Sequence, residues 1–149
     1  MKEILVLGIG NLLMMDDGIG VNVVETLKKR NTNPGIRYVI GETDIYFCLN
    51  HIQKASYTVI VDAACLDKEP GAIRAIPLGQ VFKNPIRPIS AHDFHLFSQI
   101  EMTDKIIEGL FIGVEPYKID YSFGLSAILQ EQYFKIVERI ENIITSCIR

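Results

Sequence analysis

Three runs of apolar residues in this chain lack the polar alternation of a half-exposed strand. Ile4-Leu5-Val6-Leu7 ends at Gly8, Tyr57-Thr58-Val59-Ile60-Val61 ends at Asp62, and Leu110 to Val114 runs up to Glu115. Strands of this kind are buried on both faces, which calls for a sheet covered by helices on both sides. The intervening segments supply those helices. Ile19, Val23, Val24 and Leu27 repeat at helical spacing and end in Lys28-Lys29-Arg30, cations that suit the C-terminal end of a helix dipole. Ile45 to Ile52 reads as a second helix. Ser90 and Asp93 have the spacing of a capping box that opens a third, carrying Leu96, Phe97 and Ile100. The stripe Leu125, Ile128, Leu129, Ile136, Val137, Ile140 and Ile144 predicts the longest helix. Tyr38-Val39-Ile40 and Ala72 to Ile76 add short strands, and the proline-dense stretch from Pro77 to Pro88 reads as a surface loop. Strands alternating with helices indicate an α/β layered sandwich with a mainly parallel sheet. In such sheets the functional crevice lies beyond the carboxyl ends of the strands.

At 149 residues, 48% of them hydrophobic and 22% charged, the chain is long enough to bury a core without disulfide or metal staples. Residues 1–149 are expected to form a single domain. The net charge of −3 gives no basic field for a polyanion, so no nucleic-acid partner is expected. No apolar run approaches the roughly 18–20 residues of a membrane span. Met1-Lys2-Glu3 leads straight into a strand-like run with no long apolar h-region and small-residue cleavage site, so no signal peptide is expected. Cys48, Cys65 and Cys147 are an odd number at irregular spacing, as expected of reduced thiols in a cytoplasmic protein.

Three segments bring polar groups to strand ends. The first, Gly8-Ile9-Gly10-Asn11-Leu12-Leu13-Met14-Met15-Asp16-Asp17-Gly18-Ile19-Gly20, begins like a dinucleotide fingerprint but places Leu13 at the third glycine. It also sets two carboxylates where a pyrophosphate would dock, and a helix N-terminus flanked by fixed negative charge repels an anion. Either aspartate can cap the helix that follows; a second adjacent carboxylate is better suited to a cation. The second segment is Val61-Asp62-Ala63-Ala64, whose aspartate is otherwise a turn or cap residue. The third is Ser90-Ala91-His92-Asp93-Phe94-His95, with His92 in the first turn of a helix, where a histidine by itself is usually a solvated residue. Together the segments offer two carboxylates and one imidazole from three strand ends, an O,O,N set for a divalent ion with open positions. Cys48 and His51 form only half of a zinc motif. No Gly-x-Ser-x-Gly elbow is present, and no serine or cysteine has a base beside it, so covalent catalysis has no support.

These residues resemble the hydrogenase maturation proteases, the C-terminal processing endopeptidases of nickel–iron hydrogenase large subunits. The resemblance rests on Gly8-x-Gly10-Asn11-x-Leu13-x-x-Asp16-Asp17-Gly18-x-Gly20, Val61-Asp62-Ala63, His92, Gly113-Val114-Glu115-Pro116 and Gly124-Leu125-Ser126, in this order along nearly the whole chain. It implies a three-layer α/β/α sandwich around a twisted, mainly parallel, five-stranded sheet. It carries the family's metal-engaging and catalytic residues over to Asp17, Asp62 and His92, and leaves Asp16 a capping or supporting role. The implied partner is a hydrogenase large-subunit precursor. Its already inserted nickel is engaged while the extension beyond the nickel-binding cysteine motif is removed, so no permanent cofactor is expected. Hydrolysis needs an activated water, supplied by a metal or by Asp17 or Asp62 as general base. One departure stands out: the family often has Asp-Gly-Gly-Thr after the second strand, and here the stretch is Ile40-Gly41-Glu42-Thr43. That region has been linked to substrate choice, so the cognate hydrogenase stays open. The competing readings are a Rossmann-like nucleotide module, with Gly8 and Gly10 at the phosphates and Glu42 at a ribose, and a non-catalytic module that binds a metalloprotein.

Overall fold

A computed structural model describes residues 3–83 and 86–148. Met1 and Lys2 of the N-terminal reading, Asn84 and Pro85 of the proline-dense stretch, and Arg149 lie outside the described residues. Strand β1 (Ile4–Ile9) leads through a 3-10 turn (Met15–Gly18) into helix α1 (Ile19–Arg30). Strand β2 (Ile36–Glu42), helix α2 (Ile45–Lys54) and strand β3 (Tyr57–Cys65) follow. Then come β4 (Ile73–Pro77), the two-residue β5 (Arg87–Pro88), α3 (Ala91–Met102), β6 (Gly109–Val114) and α4 (Ala127–Ser146).

The strands lie in the order β2-β1-β3-β6-β4, with β5 paired to β3 off this path. Neighbours are parallel from β2 to β6, and β4 is an antiparallel edge. The sheet therefore has six strands among the described residues, five of them along its main path. Pleating sends alternate residues to opposite faces. Ile4, Val6, Val59 and Val61 pack on one side with Val23 and Val24 of α1 and Leu129 and Ile136 of α4. Leu5, Leu7, Ile9 and Ile60 pack on the other with Ile52 of α2 and Leu96 and Phe97 of α3. This two-sided burial is why the strand runs carry no polar alternation, and it yields the α/β/α layers. Between α1 and α4, the Tyr133 hydroxyl bonds the carbonyl of Asn22 and the hydroxyl of Thr26.

Two expectations are corrected. The stretch from Pro77 to Pro88 is not simply a surface loop: a 3-10 helix spans Leu78–Lys83, β5 follows, and Leu78, Val81 and Ile86 are buried in the α2–α3 core. Those apolar residues outweigh the turn signal of the prolines. Strand β3 does not stop at Asp62 but runs to Cys65, because Asp62 and Ala63 stay in register with Gly113 and Val114.

The chain leaves β1 for β2 on one side and later crosses to β3 on the other, so the topological switch point falls between β1 and β3. Two glycines let the backbone close up there. A Cβ on Gly20 would stand 2.1 Å from the carbonyl oxygen of Val61, so α1 starts directly against β3. A Cβ on Gly10 would stand 2.0 Å from the carbonyl oxygen of Asp17, and its φ of +132° disfavours any side chain. Gly10→Ala is expected to lower stability by roughly 2–4 kcal/mol, from overpacking plus backbone strain. Urea unfolding with an unchanged m-value is the measurement, and a loss below ~0.5 kcal/mol would contradict the close approach.

Candidate active site

Asp16 and Asp17 sit side by side on the 3-10 turn and do different things. Asp16 is fully buried. Its Oδ2 accepts from the backbone N–H of Tyr117 (2.9 Å) and of Lys118 (2.9 Å) and from the Ser126 hydroxyl (2.8 Å). Its Oδ1 accepts from the N–H of Ser126 at 2.7 Å. Ser126 in turn caps α4 by accepting from the N–H of Leu129. Asp16 thus ties the end of β1 to the loop that enters α4, the supporting role expected of it. Asp16→Ala would leave three backbone donors without their acceptor, that of Ser126 in the interior, and is expected to destabilise the fold by about 2–4 kcal/mol. Thermal unfolding should shift down by roughly 10 °C for a chain of this size; a variant melting within two degrees of the parent, on the order of measurement scatter for such a shift, would rule that role out.

Glu115 plays a similar part: its Oε1 accepts from the N–H groups of Leu66 and Lys68 at 3.1 and 2.9 Å, pinning the turn after β3. Much of the sequence signature is therefore architectural.

Asp17 points instead into the switch-point crevice. Its Oδ2 accepts from the N–H of Asn11 at 3.0 Å, and its Oδ1 has no donor. Asp62 repeats the pattern from β3: Oδ1 accepts from the N–H of Ala63 at 2.8 Å, and Oδ2 has no donor. A third carboxylate joins them, from Asp93 on α3. One oxygen of each of Asp17, Asp62 and Asp93 lies within 4.8 Å of the others, and all three residues are buried. His92, the preceding residue on α3, is exposed and lies beside this trio, lining the same cavity as Asp17. That cavity, of about 360 Å³, is also bounded by Asn11, Met14 and Tyr121. A second cleft of about 440 Å³ lies across Asn11 and is lined by Leu13, Glu42, Thr43 and Phe123.

The electrostatics follow from this crowding. Burial raises the pKa of Asp17; the Asn11 N–H counteracts it, the Asp93 charge adds to it, and the His92 charge opposes it. Asp62, with no solvent contact, is raised well above the usual carboxylate range. Burial is the main cause, followed by the Asp93 charge, a carboxyl–carboxyl contact with Asp93 and the Asp17 charge, against which the Ala63 N–H acts. That contact is a hydrogen bond only when one of the two carboxyls carries a proton. In the fully ionised state no donor reaches Oδ2 of either.

Asp93 was not among the expected site residues because its spacing from Ser90 accounts for it as part of a helix cap. The cap does form, with Ser90 Oγ accepting from the N–H of Asp93 at 3.2 Å. The carboxylate itself turns inward. Its adjacency to His92 was the one available signal. Elsewhere, Cys48 is buried, and burial pushes its thiol up to about 12, so it holds its proton at neutral pH. His51 turns away to meet Arg37, with its Nδ1 2.7 Å from the guanidinium.

Fold and site together define a class of α/β proteins whose switch-point crevice carries buried carboxylates in place of a phosphate-binding loop. A family model described as hydrogenase maturation protease matches residues 21–143. The chain belongs to the hydrogenase maturation protease family. Among solved structures it is similar to the hydrogenase maturating endopeptidase HybD from E. coli, with 25% identity, a TM-score of 0.81, and coverage of 97% of this chain and 93% of that one. Among sequences it is similar to the hydrogenase 2 maturation protease of Escherichia coli K12, 28% identical over 144 residues, covering 93% of this chain and 88% of the relative. The hydrogenase expression/formation protein HupM of Azotobacter chroococcum mcd 1 is 39% identical over 75 residues, and the match spans 36% of its length. Membership of this family sets aside the nucleotide-binding alternative. No described helix is long and apolar enough to cross a membrane.

Proposed function

We propose that this protein is an endopeptidase that removes the C-terminal extension of a nickel-loaded hydrogenase large-subunit precursor, with Asp17, Asp62 and His92 engaging the precursor's nickel. The observation that carries this reading is the pair of buried carboxylates. Each spends one oxygen on a backbone N–H and leaves the other without a donor, Asp17 at the cavity wall and Asp62 fully buried within reach of it. Buried anions with free lone pairs need a cation, and a metal carried by the substrate supplies it. His92 at the cavity wall adds a nitrogen donor, and no permanent cofactor is required. When the nickel is engaged, it provides a positive charge beside the peptide to be cut. In the metal-free protein burial raises the proton affinity of Asp17 and Asp62; with nickel engaged, a carboxylate oxygen not taken by the metal would be the base toward a water.

The surroundings suit a peptide. Segment 13–16 runs beside 118–122, with Met15 N–H bonded to the Ser122 carbonyl and Ser122 N–H to that of Leu13. This pairing holds exposed Leu13, Tyr121 and Phe123 at the cleft edges, apolar surface against which an extended chain can lie. Ile40 packs into the α1–α4 core, so a contact selecting the precursor at the end of β2 falls to Glu42 and Thr43. The test is the intact mass of purified precursor before and after incubation with the protein. Loss of a C-terminal fragment supports the reading; binding without any mass change would make the protein a non-catalytic relative.

A further inference from the structure

The reading above uses two of the three buried carboxylates. We propose that Asp93 is a further ligand of the same centre, so that the metal is met by three carboxylate oxygens from β1, β3 and α3, with His92 as a nitrogen donor at the rim. The inference rests on the proposed function for its setting but on separate observations for its content. Asp93 is 2% exposed, Asp17 4% and Asp62 0%, so none of the three is hydrated as a surface acid would be. One oxygen of each is without a hydrogen-bond donor. These residues supply the oxygens that approach within 4.8 Å of one another; with metal–oxygen distances of about 2.0–2.2 Å, two ligands on one ion lie at most about 4.4 Å apart, so a side-chain shift of a few tenths of an ångström would close the three around one ion. The ion pairs of Lys29, Arg30, Arg37 and Arg87 are with Glu25, Glu141, Glu3 and Asp67, away from this site.

A buried acid in the first turn of a helix has an ordinary alternative, which is to bond the free N–H groups at that end. Asp93 has an oxygen to spare, and it is aimed at Asp17 and Asp62. The chemistry of the donor set also makes a statement about the ion. Carboxylate oxygens suit Mn²⁺, Ni²⁺ is the tighter ion at any such donor set, and the imidazole widens that difference. The free protein should therefore bind an exchangeable divalent cation without any precursor, through Asp93.

The experiment titrates Mn²⁺ alone and Ni²⁺ alone into the free protein, by calorimetry and by the Mn²⁺ spin-resonance signal. One Mn²⁺ is expected to bind the parent. Asp93→Asn should weaken it at least about tenfold, the scale of losing a direct or supporting metal contact. His92→Ala should weaken Ni²⁺ more than Mn²⁺. Because Asp93 lies in the first turn of α3, the carboxyl carbons of the parent are also followed by NMR as Mg²⁺ is added; shifts at Asp17, Asp62 and Asp93 together are expected. Unchanged Mn²⁺ affinity in folded Asp93→Asn, no Mn²⁺ binding by the parent, or an Asp93 carboxyl that does not respond would each overturn the proposal. These outcomes are separate from the fate of the functional reading. Processing that survives while Asp93 proves irrelevant to metal binding removes Asp93 alone. Metal binding through Asp93 in a protein that never cuts the precursor removes the protease.

Discussion

Replacing Asp62 with asparagine is expected to abolish processing of the precursor and, at the same time, to make the free protein more stable at neutral pH. The loss of activity follows from position: the Asp62 oxygen without a donor is one of the groups the metal or the reacting water would meet, and an amide supplies neither charge nor basicity. A deficit of about 10²–10⁴-fold is the scale expected for removing a positioned acid–base group. The gain in stability follows from linkage. The pKa of Asp62 lies above its unfolded value of 3.8, first because the side chain is buried and then because Asp93 and Asp17 are negative beside it. A carboxyl raised by folding is tolerated while protonated. The penalty is absent below the unfolded pKa, grows as pH rises through the raised folded value, and is complete above it. Asparagine is neutral throughout, and its NH₂ can donate to the facing carboxylates. Melting curves of parent and variant should therefore nearly coincide near pH 4 and separate toward pH 7, with the variant more stable by about 1–2 kcal/mol, as often found when a functional site is neutralised. A variant that melts lower than the parent at pH 7 would mean that Asp62 is there for structure. Full processing by it would remove Asp62 from the site.

The second large effect is in the substrate. Precursor lacking nickel is expected to be cleaved at least a hundredfold more slowly than loaded precursor, equivalent to about 2.7 kcal/mol in the barrier. Asp17, Asp62 and Asp93 present negative charge in an interior where Coulomb interactions are stronger than in water. The proposed cleavage segment follows a cysteine-rich, partly thiolate motif. Without a cation the two surfaces repel; with nickel between them the same approach is attractive. On the proposed function, metal loading would be read in this way before the cut. The measurement is a processing time course with metal-free precursor, protease and chelated buffer beside the loaded control. Efficient cleavage at the native bond in the metal-free arm would refute nickel recognition even in an active protease.

The sequence by itself determined the layered α/β class, because strands buried on both faces must be apolar at successive positions and helices covering them must carry a stripe. It also located the segments that meet at the switch point, since Gly8, Gly10 and Gly20 next to two acids have few other uses. What it did not determine was the division of labour between neighbours. Asp16 and Asp17 are alike in type and adjacent, and in a 3-10 turn consecutive side chains diverge by about 120°. One therefore meets the α4 entrance and the other the crevice, 110 residues apart in the chain for the contact with Ser126. The same holds on α3, where neighbours diverge by about 100°. His92 faces the cavity, whereas Asp93, which capping alone accounts for in the sequence, is carried into the acidic centre. Local spacing fixes which residues can cap or ligate. Only the packing of α3 and the 3-10 turn against the ends of β1 and β3 decides which way each side chain turns, because that packing brings together charges that the chain keeps far apart.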